Sequence, residues 1–128
     1  MIISIKNIDG KVIHEADIEN NNLAMTVIDP FAIAIIDALA KGKSLNYADF
    51  RGANLSFASY FRGVHLQGAD FSGVDLRGAD FSNADLRLAN FSDANLRWTC
   101  FNGAKLRGVN FLGADLRAAD LGYADLRS

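Results

Sequence analysis

The residue types that most often perform catalysis or bind metals are few in this chain and lie far apart. The two histidines are His14 and His65, and the single cysteine is Cys100. None of them belongs to an H-x-x-x-H or C-x-x-C motif or to a cluster of acids with the spacing of a metal site. Cys100 also has no nearby histidine that would make it a nucleophile. We therefore expect no catalytic residue, no metal site and no cofactor site.

The sequence also gives little support for binding of phosphate groups or nucleic acid, or for a membrane span. No Gly-Lys-Ser or Gly-Lys-Thr follows any of the Gly-x-x-x-x-Gly spacings, so there is no phosphate-binding loop. The net charge is only −2 over 128 residues, and direct binding to nucleic acid is therefore not expected. The most apolar stretch, residues 23–40, contains two acids and a proline, which would be costly inside a membrane. Together with the lone cysteine and the lack of a signal peptide, this composition predicts a cytoplasmic protein without a membrane span.

Carboxylates are numerous, but each has a place in a repeat of five residues. Around a central large apolar residue i, position i−2 is Ala in 12 units and position i−1 is Asp or Asn in 12 units. The consensus is A-(D/N)-(L/F)-x-x over 16 units. The centres are Phe50, Leu55, Tyr60, Leu66, Phe71, Leu76, Phe81, Leu86, Phe91, Leu96, Phe101, Leu106, Phe111, Leu116, Leu121 and Leu126.

A period of five fits neither an α-helix nor a β-strand. It suits a coil that turns a corner in every unit, with the residues at i−2 and i inside and the other three facing solvent. Alternating small and large inward residues would fill a narrow tube without voids. Glycine suits the corner because it adopts unusual backbone angles, and it occupies position i+2 in seven units. These glycines are Gly52, Gly68, Gly73, Gly78, Gly103, Gly108 and Gly113.

Segments such as Ala69-Asp70-Phe71-Ser72-Gly73 and Ala84-Asp85-Leu86-Arg87-Leu88 resemble the pentapeptide-repeat family. The resemblance covers about the last two-thirds of the chain. It implies an all-β solenoid, namely a right-handed quadrilateral β-helix with four pentapeptides per coil. Residues 45–128 would then form about four coils.

A longer period supports the four-sided arrangement. From Leu66 to Leu116 the centres alternate between Leu and Phe, and from Leu76 onward arginine follows each of these Leu centres. Two opposite columns are predicted, Arg87–Arg107–Arg127 and Arg77–Arg97–Arg117. Lys105 stands between Asp85 and Asp125 in neighbouring coils, where it would relieve repulsion between the acids. His65 replaces an Asp at i−1, and we expect it on the surface.

The repeat is interrupted once, and a different pattern precedes it. Tyr60 and Leu66 are six residues apart, which predicts a bulge of one residue near 59–61. Residues 1–44 predict a hairpin around Asp9-Gly10, then a helix that starts at Asp29-Pro30 and ends at Gly42. We expect this region to cap the N-terminal end of the β-helix, whose backbone edge would otherwise be unpaired.

Two functions from different classes remain open. The first is a non-catalytic protein-interaction or structural module whose partner is a protein. Its candidate surface is Trp98 with the surrounding Arg77, Arg97, Arg117 and Phe57. The second is a DNA-mimicking modulator of gyrase, as the resemblance implies for some family members. A mimic needs a negative surface, whereas residues 46–128 contain nine acidic and nine basic residues, which makes this the weaker alternative.

The last coil provides a further candidate surface. Phe111, Leu116, Leu121 and Leu126 would line its open end. We expect a second copy to cover this end in a two-fold homodimer, unless a longer chain continues beyond it.

Overall fold

The N-terminal residues form the predicted hairpin. In the computed structural model, which describes residues 1–18 and 29–127, strands β1 (Ile2–Lys6) and β2 (Val12–Asp17) pair antiparallel. Gly10 adopts a positive φ of 82° in the turn between them. Ile5 is fully buried, and its cross-strand partner His14 is also buried, so one face of the hairpin packs inward.

Helix α1 (Pro30–Ala40) begins and ends at the predicted residues. The Asp29 carboxylate accepts hydrogen bonds from the first backbone amides of the helix, and proline occupies the first turn. At the other end, Gly42 has a φ of 68°, and the amides of Gly42 and Lys43 donate to carbonyls of the last turn. Within the described residues, no helix is long and apolar enough to cross a bilayer, while residues 23–28 of the apolar stretch lie outside them.

After the helix, the chain returns to the same side every four pentapeptides. Parallel bridges join residues 20 apart, for example Asp85 with Lys105 and Lys105 with Asp125. The amide of Leu86 donates to the carbonyl of Lys105 at 3.0 Å, and equivalent bonds recur along the repeats. The lysine therefore lies between two acids, as predicted.

The interior is filled by the residues at i−2 and i. Alanines and the Leu and Phe centres of the inner coils are almost completely buried. The phenylalanines form two stacked columns that contact each other edge to face. Neighbouring rings within a column lie 4.6 to 5.7 Å apart between centroids. The columns are Phe50–Phe71–Phe91–Phe111 and Phe61–Phe81–Phe101.

The interruption is at the predicted place, but the assignment of Tyr60 as a centre is wrong. Phe61 is fully buried and stacks 5.0 Å from Phe81, whereas Tyr60 is only partly buried. The extra residue therefore lies between Ala58 and Phe61. Phe61 is the residue that continues the Phe column. With Phe61 as the centre, the alternation of Leu and Phe holds through this unit as well.

The expectation that three positions per unit face solvent also needs correction. Ser82 and Asp85 are buried, and most side chains at i−1 are partly covered. The reason is a local hydrogen bond: the oxygen of the Asp or Asn at i−1 accepts from the amide at i+1, as in the bond from Ser82 to Asp80 at 2.9 Å. The carboxylate therefore lies along the backbone and stabilises the turn that follows.

The hairpin and helix share the core of the repeats. Asn7 forms an antiparallel bridge with Ala48, and the Asp49 amide donates to the Lys6 carbonyl at 2.7 Å. The rings of Phe31 in α1 and Phe50 lie 6.1 Å apart, edge to face. These contacts place the N-terminal elements against the first repeats.

Candidate functional site

The corner of every repeat has a left-handed backbone, and half of these corners are not glycine. For a residue with a Cβ atom this conformation costs about 1–2 kcal/mol. Large apolar or aromatic side chains at four such corners are more than half exposed: Phe57 at 69%, Leu88 at 66%, Trp98 at 53% and Tyr123 at 93%. The non-glycine corners are Tyr47, Phe57, Asn83, Leu88, Asp93, Trp98, Ala118 and Tyr123.

The candidate residues for partner binding lie along one side of the repeats, which we call the Trp98 side. It consists of the units centred on Leu55, Leu76, Leu96 and Leu116. Backbone hydrogen bonds join them in sequence: Phe57 to Arg77 at 2.7 Å, Gly78 to Arg97 at 3.0 Å, and Trp98 to Arg117 at 3.2 Å. The structure thus brings all five candidate residues onto one side.

Two arginines of the Trp98 side are neutralised within their own repeat. Arg77 donates to both carboxylate oxygens of Asp75, and Arg117 donates to both oxygens of Asp115. The hydrogen bond from Arg117 lowers the pKa of Asp115 to about 2, and Arg77 lowers the pKa of Asp75 in the same way. Both acids are therefore ionised at neutral pH, and these pairs carry no net charge.

Arg97 differs because its repeat has Asn95 where the neighbouring units have Asp. The Asn95 side-chain oxygen accepts from the Arg97 amide at 3.3 Å, and no carboxylate in the described part of the chain makes an ion pair with its guanidinium. The guanidinium instead lies 4.6 Å from the centre of the Trp98 ring. This half-buried cation on an exposed indole is the chemically distinctive feature of the Trp98 side. The substitution of Asp by Asn was the sequence signal for the missing ion pair, though not for the stacking on Trp98.

The four residues of the predicted dimer end lie together in the last coil. Phe111, Leu116 and Leu121 are half-buried, and Leu126 is 56% exposed. The equivalent centres of the inner coils are almost fully buried, so the centres of the last coil are less well covered than those of the inner coils.

The residues with catalytic potential are placed apart from one another. The Cys100 thiol contacts the Ser82 hydroxyl at 3.1 Å, and His65 is exposed, as expected, with Asp85 at 4.0 Å. His14 is buried against Asp37 at 2.7 Å, where it joins β2 to α1. Among residues 1–18 and 29–127, no three His, Cys, Asp or Glu side chains are grouped in a way that could hold a metal.

Solved structures of other repeat proteins are similar to this chain. HetL from the cyanobacterium Nostoc sp. strain PCC 7120, a pentapeptide repeat protein involved in heterocyst differentiation regulation, is 36% identical with a TM-score of 0.61. The match covers 64% of this chain and 38% of HetL. A pentapeptide repeat protein from the thylakoid lumen of Arabidopsis thaliana is 34% identical with a TM-score of 0.49, covering 64% of this chain and 63% of that one.

A plasmid-mediated fluoroquinolone resistance protein, QnrB1, is 27% identical with a TM-score of 0.35, over 61% of this chain and 47% of QnrB1. This chain thus spans less than two-thirds of each of these proteins. A comparison with curated proteins found no match.

The family comparison covers the same part of the chain as the repeats. The family described as "Pentapeptide repeats (8 copies)" matches residues 37–77, 58–93, 69–108 and 94–128. These segments include every unit whose centre is buried in the tube. With its β-helical repeats and its ladder of bridges 20 residues apart, the chain belongs to the pentapeptide repeat family.

Proposed function

We propose that this chain is a non-catalytic module that binds another protein through the Trp98 side. The observation that carries the proposal is the pair formed by Arg97 and Trp98. Among the residues that the structure describes, no carboxylate pairs with the guanidinium, which lies on an indole that is 53% exposed. Tryptophan and arginine are the residues that most often dominate the binding energy of protein interfaces.

The backbone at Trp98 adds to this argument. Its φ of 59° is unfavourable for a side chain, and glycine would relieve the strain at the same corner. Trp98 is thus an exposed aromatic residue at a strained corner. A contact of Trp98 with another protein would offset the cost of this strain.

The experiment captures partners from the lysate of the cells that express the protein, using the purified chain as bait. Trp98→Ala is expected to weaken capture by about thirtyfold, since interface tryptophans often contribute 2 kcal/mol or more. Tyr123→Ala is the matched control, because Tyr123 is an exposed aromatic residue at a left-handed corner on another side. Equal capture by the two variants would contradict the proposal.

The alternative is a gyrase modulator that imitates DNA, and one observation favours it. The sides built on Phe centres carry more acids than bases, although the repeats as a whole are neutral. A supercoiling assay of gyrase with a quinolone tests this alternative, and protection of the enzyme would support it. The charged residues of these sides are Asp49, Asp70, Asp80, Asp93 and Asp120, with Arg51 and Arg62.

We also propose that a second copy covers the last coil in a two-fold dimer. The exposed apolar residues at that end support the proposal, because burial of Leu116, Leu121 and Leu126 would remove them from water. Sedimentation equilibrium measures the mass, and Leu121→Arg is expected to convert a dimer to a monomer. A monomeric mass of the unaltered protein at high concentration would contradict the proposal.

Membership of the family supports a finer architecture. We propose a right-handed quadrilateral β-helix of about four coils over residues 45–128, with residues 1–44 as its N-terminal cap. The 20-residue spacing of the bridges and the contact of Phe31 with Phe50 support this division. The free thiol of Cys100 suits a reducing compartment, and we propose the cytoplasm. A crystal structure checks the handedness, and cell fractionation checks the location.

A further inference from the structure

A second column, which we call the Leu88 side, holds a groove lined by cations. It consists of the units centred on Leu66, Leu86, Leu106 and Leu126. The groove has a volume of about 310 Å³. Leu88 forms an apolar wall and lies against Gly108, where an added Cβ would be 2.8 Å from its Cδ2 atom. The lining residues are Gln67, Arg87, Leu88, Arg107 and Gly108.

The two guanidiniums of the groove differ in their hydrogen-bond and ion-pair partners within the protein. Arg87 donates to both oxygens of Asp85, at 2.8 and 2.7 Å. The amide oxygen of Gln67 also accepts from Arg87 Nε at 3.0 Å, in the orientation that the hydrogen bonds require. The hydrogen-bonding capacity of Arg87 is thus largely used within the protein.

Arg107 has no such partner, because Lys105 replaces the Asp that precedes arginine in the neighbouring units. In the part of the chain that the structure describes, no carboxylate lies within ion-pair distance of Arg107. The charge of Arg107 acts on Asp125, but that carboxylate is hydrogen-bonded to Arg127. Arg107 and Lys105 are both exposed, so this single repeat presents two cations and no acid of its own beside an exposed leucine.

We propose that this groove binds a carboxylate from an extended acidic segment of a protein partner, with Arg107 as the residue that holds it. The planar guanidinium matches a carboxylate with two hydrogen bonds. The same chain shows this geometry in the units where an Asp is present, with N–O distances of 2.6 to 2.8 Å. The partner would supply the acid that the repeat lacks, and its apolar side chains would contact Leu88.

A protein segment fits the groove better than a nucleic acid does. Asp85 and Asp125 flank Lys105 in adjacent coils, and they would repel the regularly spaced phosphates of a duplex. A flexible acidic peptide can place one carboxylate at Arg107 and an apolar side chain against Leu88, and it can turn its other carboxylates away from Asp85 and Asp125. The inference concerns a different side from the Trp98 side and does not depend on it.

The test is a nuclear magnetic resonance titration of the full chain with a peptide of sequence EEVEEVEE, blocked at both ends. We expect the Arg107 side-chain Nε–Hε signal and the Leu88 and Gly108 amide signals to shift in a saturable way. The peptide QQVQQVQQ, which has the same shape without charge, is expected to leave them unchanged. Failure of the acidic peptide to shift these signals, or equal shifts with both peptides, would overturn the proposal.

Two variants locate the binding at Arg107. Lys105→Asp restores the consensus acid, which would pair with Arg107 inside the protein, and Arg107→Gln removes the cation. Each is expected to weaken binding about tenfold or more. Arg62→Gln is the matched control, since Arg62 is an exposed arginine outside both the Leu88 side and the Trp98 side, and it should bind normally. Unchanged binding by Lys105→Asp, or tighter binding of a DNA duplex with the same shifts, would contradict the proposal.

Discussion

At the residue scale, the acid of each repeat does more than face solvent. The Asp115 carboxylate accepts hydrogen bonds from the backbone amide of Arg117 and from the Nε and Nη2 atoms of its guanidinium. The acid at i−1 thereby stabilises the turn and neutralises the arginine at i+1. This dual role explains why replacement of the acid matters: Asn95 keeps the bond to the amide but releases Arg97. Lys105 can form neither the bond to the amide nor the ion pair, and no acid in the described part of the chain pairs with Arg107.

The pairing predicts a pH dependence at Asp115. Its pKa of about 2 is below the usual value of about 3.9, since Arg117 stabilises the ionised form. The folded protein therefore binds this proton less readily than the unfolded chain does. The pair stabilises the fold above about pH 4, and its contribution is lost as the pH falls through about 2.

Arg117→Gln is expected to raise the pKa of Asp115 toward about 3.9. The measurement is a carbon-13 titration of the carboxyl group. Arg97→Gln serves as the control, because Arg97 is the smallest of the causes that lower this pKa, and the midpoint should move much less. Equal shifts in the two variants would show that general charge, and not the paired guanidinium, sets the value.

At the element scale, the corners of the coil provide a matched pair of glycines. Gly73 and Gly78 have φ values of 69° and 66°, so alanine at either position costs about 1 kcal/mol for the backbone alone. An added Cβ at Gly73 meets nothing within 4 Å, whereas at Gly78 it lies 2.5 Å from the Phe57 ring. We expect Gly78→Ala to lower the free energy of unfolding more than Gly73→Ala does.

Urea denaturation of both variants, alone and with Phe57→Ala, measures this difference. The two glycine substitutions should cost the same once the ring is removed. A difference that persists in the Phe57→Ala background would show that the ring does not lie over Gly78 in solution.

The contact between β2 and α1 gives a second prediction for the elements. The Asp37 carboxylate bonds buried His14 at 2.7 Å and exposed Lys41 at 3.0 Å. Asp37→Ala leaves the imidazole buried without this partner, which should cost about 1–3 kcal/mol. Lys41→Ala removes only an exposed partner and should cost less than about 0.5 kcal/mol. Thermal denaturation compares the two variants, and equal losses would mean that His14 is not held by Asp37.

At the scale of the whole molecule, the sequence predicts what depends on periodicity and fails where three-dimensional contacts decide. The five-residue period was sufficient to identify the core residues and the columns of arginines. It could not choose between Tyr60 and Phe61, because either residue satisfies the local pattern and only the stack on Phe81 distinguishes them. The stacking of Arg97 on Trp98 was equally hidden, since two adjacent residues carry no information on the angle between their side chains.

The core is a one-dimensional stack, and its middle and its end should differ in stability. Phe91 is fully buried between Phe71 at 4.9 Å and Phe111 at 5.7 Å. Phe91→Ala should therefore cost about 3–5 kcal/mol of the free energy of unfolding. Phe111 is half-buried in the last coil and has no ring stacked beyond it among the described residues, so Phe111→Ala should cost about 1–2 kcal/mol in dilute solution.

Urea denaturation at several protein concentrations measures the loss in free energy of unfolding for both variants. It also tests whether the loss at Phe111 depends on dimer formation. If a second copy covers the last coil, Phe111 becomes more buried as the dimer forms, and the cost of Phe111→Ala rises with concentration while that of Phe91→Ala stays constant. A cost at Phe111 that matches Phe91 even in dilute solution would contradict the stack with an open end. A small cost that never changes with concentration would count against the second copy.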